Sequence, residues 1–171
     1  LALARDPAVD IVAVTVKVPE HRAIVLAALA AGKHVYCEWP LGRDLAEAEE
    51  MATAARKAGV HAAVGLQGAN AAAVRHAAEL VRQGAIGKPL NLRVVSSTAG
   101  WGPMAPPHYA YLQDKRNGAT LATIAGGHTL AMVEAVVGAF AEVSALNSIL
   151  QGTVEIAGTQ ETVARTCADH M

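Results

Sequence analysis

The chain has 171 residues and a formal net charge of −1, from 14 Lys and Arg against 15 Asp and Glu. Apolar residues make up 53% and charged residues 17% of the chain, which is typical of a packed core and excludes intrinsic disorder. The near-neutral charge argues against nucleic acid or an anionic membrane as a partner, and no apolar run is long enough to span a bilayer. Cys37 and Cys167 lie far apart and predict reduced thiols in a cytoplasmic protein, without a zinc or disulfide framework.

Both ends of the sequence predict a segment of a longer protein. Residues 1–5 are typical of the last turn of a helix that is already under way, because no capping residue precedes them. A starting Met is absent, and the stretch from Glu155 onward stops without a helix stop signal or a polar tail.

Short strands and helices alternate along the first part of the chain. Residues 10–16 form a β-branched apolar run, which favours a strand covered on both faces. Asp44 is a predicted N-cap and Gly59 a predicted helix end. Strands are predicted over 10–16, 34–37 and 61–66, and helices from 19 to 32, over 45–58 and over 71–83. This order predicts three units of a doubly wound fold, with a parallel sheet and helices on both faces.

The pattern changes after Gly87-Lys88-Pro89. Residues 90–98 alternate and predict a longer strand with one more polar face. The Pro-rich stretch 99–117 carries Trp101, His108, Tyr109 and Tyr111, and its aromatic content favours an ordered loop that faces a substrate. A helix with a break at Gly126-Gly127 is predicted over 119–137, and a strand over 143–150. We place the boundary between a nucleotide-type domain, 1–86, and a second α+β domain, 87–171, at the change of pattern.

Candidate functional residues follow the predicted strands, because ligands of open parallel sheets bind beyond the carboxyl ends of the strands. His21 is predicted either to hydrogen-bond in this crevice or to cap the helix that follows. Glu38 is interpreted either as a ribose contact or as a carboxylate in a surface turn. Trp39 either stacks on a flat ligand or covers the floor of the crevice.

His128 comes directly after two glycines, which leave space for a ligand to reach its imidazole. Histidine is the commonest general acid or base, so a catalytic role is one interpretation, and a hydrogen-bonded structural helix residue is the other. The sequence has no metal-ligand constellation, no phosphate-binding GxxxxGK[ST] motif and no GxGxxG.

The order of these motifs resembles the Gfo/Idh/MocA oxidoreductase family. Residues 31–40, Ala-Gly-Lys-His-Val-Tyr-Cys-Glu-Trp-Pro, are similar to the family string aGKHVxxEKP, and residues 6–14 and His21 fit the same pattern. The resemblance implies an N-terminal Rossmann domain that binds NAD or NADP. It also implies an α/β domain whose open sheet often forms the oligomer interface, and redox chemistry on a sugar or cyclitol hydroxyl.

By this likeness the chain begins after the glycine-rich first half of the Rossmann domain. The expected fold is the C-terminal half of a Rossmann-like parallel sheet, followed by part of an α+β substrate or oligomerisation domain. Without the phosphate-binding first unit, the isolated chain is expected to bind a dinucleotide poorly and to act only as a structural fragment.

The resemblance also implies roles for individual residues. His128 is the expected proton donor or acceptor. Its expected companions are the cofactor-binding residues Val16, Lys17, His21, Glu38, Trp39 and Gln67.

Three positions depart from the family pattern. Trp39 stands in place of the usual catalytic Lys, Ile124 in place of the Asp in an Asp-x-x-x-His pair, and Val16-Lys17-Val18 in place of Thr-Pro-Asn. An indole N–H carries no charge and exchanges no proton in the useful range. With residues 117–120 and 127–130, these departures resemble the branch that includes the fungal galactose-pathway repressor, which binds protein partners.

Two functions therefore stay open. One is an NAD(P)-dependent oxidoreductase of a sugar-like small molecule, a homo-oligomer in which Tyr109, Tyr111 or Lys17 replaces the missing Lys. The other is a non-catalytic regulator that keeps the dinucleotide as a ligand and binds protein partners.

Overall fold

The computed structural model describes residues 2–171, which form two compact units. The first holds residues up to 65 together with 116–119, and the second holds 66–115 together with 120–171. The helices are α1 (Ala2–Arg5), α2 (Val18–Ala30), α3 (Leu45–Ala58), α4 (Ala72–Arg82) and α5 (Gly127–Val137). The strands are β1 (Ile11–Val14), β2 (His34–Glu38), β3 (Ala62–Gly65), β4 (Met104–Ala105), β5 (Thr153–Ile156) and β6 (Thr162–Ala164). None of the described helices is long and apolar enough to cross a membrane.

The first unit is built on the parallel sheet β1-β2-β3. Alternate residues of the strands, such as Val14 and Cys37, pack against Val25 of α2 and Met51 of α3. Both helices therefore cover one face, and Ile11 on the opposite face is 61% exposed. The structure differs here from the predicted helices on both faces. Two crossovers of the same hand that advance in the same direction leave their helices on the same side of the sheet.

Helix α3 follows the sequence prediction residue for residue. The Asp44 carboxylate accepts a hydrogen bond from Glu47 N at 2.9 Å and caps the helix, and Gly59 ends it in the left-handed region at φ 67°. Glu47 is buried and accepts hydrogen bonds from the backbone N–H and the guanidinium of Arg43. The hydrogen bonds from Arg43 lower the pKa of Glu47.

A short segment from later in the chain completes this first unit. Gly118 lies directly on the backbone of Arg43, where an added Cβ would stand 2.3 Å from Arg43 Cα. Gly118 also has φ +69°, a conformation that favours glycine. Residue 118 is therefore glycine for two independent reasons.

In the second unit, helices α4 and α5 pack together, and a 3₁₀ turn, Gln67–Asn70, packs against α5. A small sheet has the order β4-β5-β6, with the first pair parallel and the second antiparallel. The predicted long loop contains two further 3₁₀ turns, Pro107–Gln113 in the second unit and Lys115–Asn117 at the crossing into the first.

The strands predicted over 90–98 and 143–150 are wrong. Residues 90–98 join no ladder, and the second stretch contributes one bridge, Ser148 to His170. Leu90 is 91% exposed and Leu146 is 81% exposed. Alternation shows which side chains would share a face, but a strand also needs a hydrogen-bonded partner along its length. Residues 2–171 supply none for 90–98, and only the single bridge of Ser148 for 143–150.

The packing units divide at residues 65 and 66, because α4 packs with α5 in the second unit. The predicted division into a cofactor domain, 1–86, and a substrate domain, 87–171, stays a prediction about function.

Candidate functional site

The carboxyl ends of the three parallel strands lie at one edge of the first unit. Glu38 ends β2 directly beside Gly65, which ends β3, and Val16 and Lys17 follow β1. Lys17 is the N-cap residue of α2, and Trp39 follows Glu38 as a half-buried ring. The first unit thus gathers Val16, Lys17, Glu38 and Trp39 at one edge, where parallel sheets bind their ligands.

His21 joins the two loops at this edge. It is 1% exposed, and its Nε2 lies 2.9 Å from Val16 O. Its Nδ1 lies 3.0 Å from Pro40 O and 3.3 Å from Leu41 O. The imidazole therefore ties the segment after β1 to the segment after β2. Both ring nitrogens lie against backbone carbonyls of these loops, and a role of His21 in cofactor binding stays a prediction.

Glu38 has an unusual environment for a carboxylate. Its side chain is half-buried, yet no described residue gives the carboxylate a hydrogen bond or an ion pair. Behind it, burial and then the charge of Glu38 raise the pKa of the Cys37 thiol to about 12. A half-buried carboxylate that lacks a donor loses solvation without compensation, so it favours a ligand that brings a donor.

The second unit holds the two remaining candidates. His128 lies in the first turn of α5 and is half-buried, and its imidazole has no hydrogen-bond partner among residues 2–171. Gln67 is exposed and begins the 3₁₀ turn that packs on α5. Gly68 of that turn faces Met132, where an added Cβ would stand 3.2 Å from the Met132 sulfur. The turn of Gln67 is thus fixed to the same helix that carries His128.

A π turn precedes His128. Residues Ala122–Gly126 form it, and Gly126 N donates to Leu121 O, five residues back, at 2.9 Å. This i→i+5 bond marks a π turn inserted ahead of α5. Only the two adjacent glycines signalled the irregularity.

A buried arginine that sequence reasoning missed organises the predicted substrate-facing loop. The Arg165 guanidinium, with 0% of its side chain exposed, donates to Gly102 O, Gln113 Oε1 and Asp169 Oδ2 at 2.6, 2.9 and 2.6 Å. Burial by itself raises the pKa of Asp169, but hydrogen bonds from Leu150 N, Gln151 N and Arg165 outweigh it and lower that pKa. Partners 52 and 63 residues away leave no local signal in the sequence.

A cavity of about 390 Å³ opens beside this loop within the second unit. Hydroxyl-bearing residues form much of its wall, together with Trp101, which is 7% exposed. The members with hydroxyl groups are Ser96, Ser97, Thr98 and Thr129.

The polar residues at the edge of the first unit fit a nicotinamide dinucleotide. The carboxylate of Glu38 is an acceptor without a donor, as a ribose hydroxyl requires, and Trp39 offers a flat ring. No group of three metal-ligating side chains occurs among the described residues.

Two family profiles match the chain. That of the oxidoreductase family GFO_IDH_MocA, with an NAD-binding Rossmann fold, matches residues 1–66, and that of the Gal80p C-terminal domain matches residues 72–171. The chain belongs to the Gal80p C-terminal domain family over residues 72–171, and its N-terminal part, residues 1–66, matches the NAD-binding Rossmann domain of the Gfo/Idh/MocA oxidoreductases. The resemblance seen in the sequence is therefore confirmed, and so is the Rossmann-like fold class.

Both enzymes and a regulatory protein are similar to the chain. A 1,5-anhydro-D-fructose reductase of Ensifer adhaerens is 42% identical over 62% of this chain and 30% of its own length. The galactose/lactose metabolism regulatory protein GAL80 of Kluyveromyces lactis is 31% identical over 95% of this chain and 39% of its own length. Among solved structures, an NAD binding oxidoreductase from Klebsiella pneumoniae has a TM-score of 0.85 and 31% identity, over 98% of this chain and 45% of that one. The chain spans 40% or less of the length of the curated relatives it matches.

Proposed function

We propose that the whole protein is an NAD(P)-dependent oxidoreductase that acts on a sugar- or cyclitol-like hydroxyl. The observation that carries this proposal is the Glu38 carboxylate, which is half-buried and without a donor at the ligand-binding edge of a Rossmann sheet. The match of residues 1–66 to the NAD-binding oxidoreductase profile supports the redox class, and the similarity to a 1,5-anhydro-D-fructose reductase supports the substrate class.

In this proposal the dinucleotide, when bound, accepts or donates the hydride. Glu38 accepts a hydrogen bond from a ribose hydroxyl, and Trp39, Val16, Lys17 and Gln67 shape the nicotinamide side. His21 holds the two loops of the cofactor edge at fixed spacing through its carbonyl contacts. His128 exchanges the proton of the reacting hydroxyl, because Trp39 has no proton to offer in that range.

Steady-state kinetics of His128→Ala test the catalytic assignment. Loss of a positioned acid–base group lowers kcat by about 10²–10⁴, and a panel of sugars and cyclitols with NAD⁺ and NADP⁺ supplies the assay, read as formation of the reduced cofactor. His76→Ala, on the exposed face of α4, is the matched control and should keep the parent rate. A parent protein that oxidises no member of the panel overturns the proposal.

A second candidate function is a dinucleotide-binding regulator without catalysis. The match of residues 72–171 to the Gal80p C-terminal domain favours it, and so does Trp39 at the Lys position. A regulator binds the dinucleotide without turnover and recruits a protein partner. Turnover that disappears in His128→Ala rules this candidate out.

We place the protein in the cytoplasm as a homo-oligomer. Two buried free thiols, Cys37 and Cys167, agree with a reducing compartment. The exposed apolar side chains of Leu90, Val95, Val143 and Leu146 support an interface through this part of the second unit. Light scattering of the whole protein measures the subunit number, and a monomer contradicts this part of the proposal.

A further inference from the structure

Tyr36 lies within β2, and its side chain extends to the ligand-binding edge of the first unit. It lies on β2 opposite Ala63, two residues before Glu38, and therefore on the same face as Glu38. Its ring leans along the sheet, so that its hydroxyl oxygen stands 2.5 Å from the point where residue 65 would carry a Cβ. Gly65 is the last residue of β3.

Gly65 leaves the space that this hydroxyl occupies. An added Cβ would also meet Tyr36 Cζ at 3.1 Å and Glu38 Cα at 3.2 Å. The φ of Gly65 is not positive, so its backbone conformation does not by itself require glycine. The close approach of Tyr36 and Glu38 is the reason that a larger residue does not fit.

The hydroxyl of Tyr36 has no hydrogen-bond partner among residues 2–171, and the side chain is half-buried. A phenol that is removed from bulk water usually finds a partner. Two polar groups without partners, the Tyr36 hydroxyl and the Glu38 carboxylate, therefore share one face at one edge. One is a donor as well as an acceptor, and the other is an acceptor only.

We propose that Tyr36 is a further dinucleotide-binding residue, whose hydroxyl hydrogen-bonds the bound cofactor at the edge that Glu38 marks. This inference rests on the proposed function. Tyr36 lies outside the residues that the sequence singled out, because in the motif of residues 31–40 it occupies a position of free choice. Gly65 contributes because, without a Cβ, it leaves the space that the Tyr36 hydroxyl occupies.

Dinucleotide titration of the whole protein tests this assignment. In Tyr36→Phe the ring stays and only the hydroxyl is lost, so the Kd for NADH or NADPH should rise roughly 3- to 10-fold. Thr53→Val, which removes a hydroxyl from the exposed face of α3, is the matched control and should keep the parent Kd. Thermal unfolding without ligand checks that Tyr36→Phe folds as the parent does.

Gly65→Ala supplies an independent variant. It forces the Tyr36 hydroxyl to move and should weaken dinucleotide binding to a similar degree. In the Tyr36→Phe background the same substitution should cost less affinity, because the oxygen it would strike is gone. This lack of additivity distinguishes a shared role from two separate structural effects.

The outcomes separate the two levels of the proposal. A parent protein that binds neither dinucleotide overturns the proposed function, and the role of Tyr36 with it. A parent that binds, with a Tyr36→Phe variant whose Kd stays within twofold, overturns the assignment of Tyr36 alone.

Discussion

Different kinds of interaction stabilise the interior of each unit. In the first unit every strand is paired, and apolar side chains such as Val14, Val25 and Met51 fill the space between sheet and helices. In the second unit, α4 and α5 bury none of their residues fully. Its buried charged side chain is Arg165, which joins Gly102 and Gln113 of the long loop to Asp169. An apolar core tolerates small changes, whereas a buried charge network depends on each member.

Loss of Arg165 should have the largest effect. Arg165→Met leaves the Asp169 carboxylate buried without its cation, which costs about 3–5 kcal/mol of unfolding free energy. Denaturant titration in a Trp39→Phe background follows Trp101 and therefore the second unit. Arg82→Met removes an exposed ion pair with Glu79 and should leave the curve unchanged. A cost below about 1 kcal/mol for Arg165→Met would erase the contrast between the units.

Gly118→Ala should be the most damaging small change in the first unit. Its Cβ would collide with the Arg43 backbone at a positive φ, and strain plus overpacking cost about 3 kcal/mol. Gly59→Ala, also in the first unit, is the control, because Gly59 has φ +67° with nothing near its Cβ and should cost only the conformational strain of about 1–2 kcal/mol. Trp39 fluorescence in a Trp101→Phe background measures Gly118→Ala. Equal effects of the two substitutions would show that the contact with Arg43 is not tight.

Acid should destabilise the second unit more than the first. Asp169 and Glu47 both have lowered pKa values, so each contributes stability above its ordinary value, 3.8 or 4.5, and loses it as the pH falls through the folded pKa. The partner of Asp169 is fully buried, whereas that of Glu47, Arg43, is 49% exposed. Midpoints read from Trp101 should therefore fall faster on acidification than those read from Trp39. In Asp169→Asn the midpoint read from Trp101 should lose most of this slope.

The rate of thiol labelling should differ least between the two units. Burial raises the pKa of Cys37 to about 12 and is the main cause that raises that of Cys167, so both thiols are protonated and slow to react in the native state. Labelling then reports opening of the surrounding unit. We expect Cys167 to label before Cys37 in single-cysteine variants. The reverse order would place the weaker packing in the first unit.

Local signals in the sequence predicted much of the first unit. Asp44 and Gly59 fix α3 at both ends by contacts within a few residues, and the apolar runs of β1 and β2 identify paired strands. The stretches 90–98 and 143–150 failed because pairing depends on a partner that the pattern does not contain. Among the site residues, the sequence placed Glu38 correctly at a strand end but did not show that it lacks a donor.

Long-range contacts account for what the sequence left unseen. His21 contacts carbonyls 19 and 20 residues away, and these fix its role as a link between loops. The π turn before His128 appears in the sequence only as two glycines. The space over Gly65 follows from the tilt of the Tyr36 ring on the neighbouring strand, which no pattern along one strand records.

The segment 116–119 has a consequence for how the protein is made. Residues 11–65, which hold the sheet β1-β2-β3, are synthesised before Gly118, so the turn at Arg43 lacks its cover until residue 118 has been added. The chain crosses between the two units after residues 65, 115 and 119, so residues 66–115 of the second unit are made before the first unit is complete. A translational pause before residue 118 would leave the turn at Arg43 uncovered for longer. The order in which the segments are synthesised therefore differs from their grouping into units, because segment 116–119 packs with residues made much earlier.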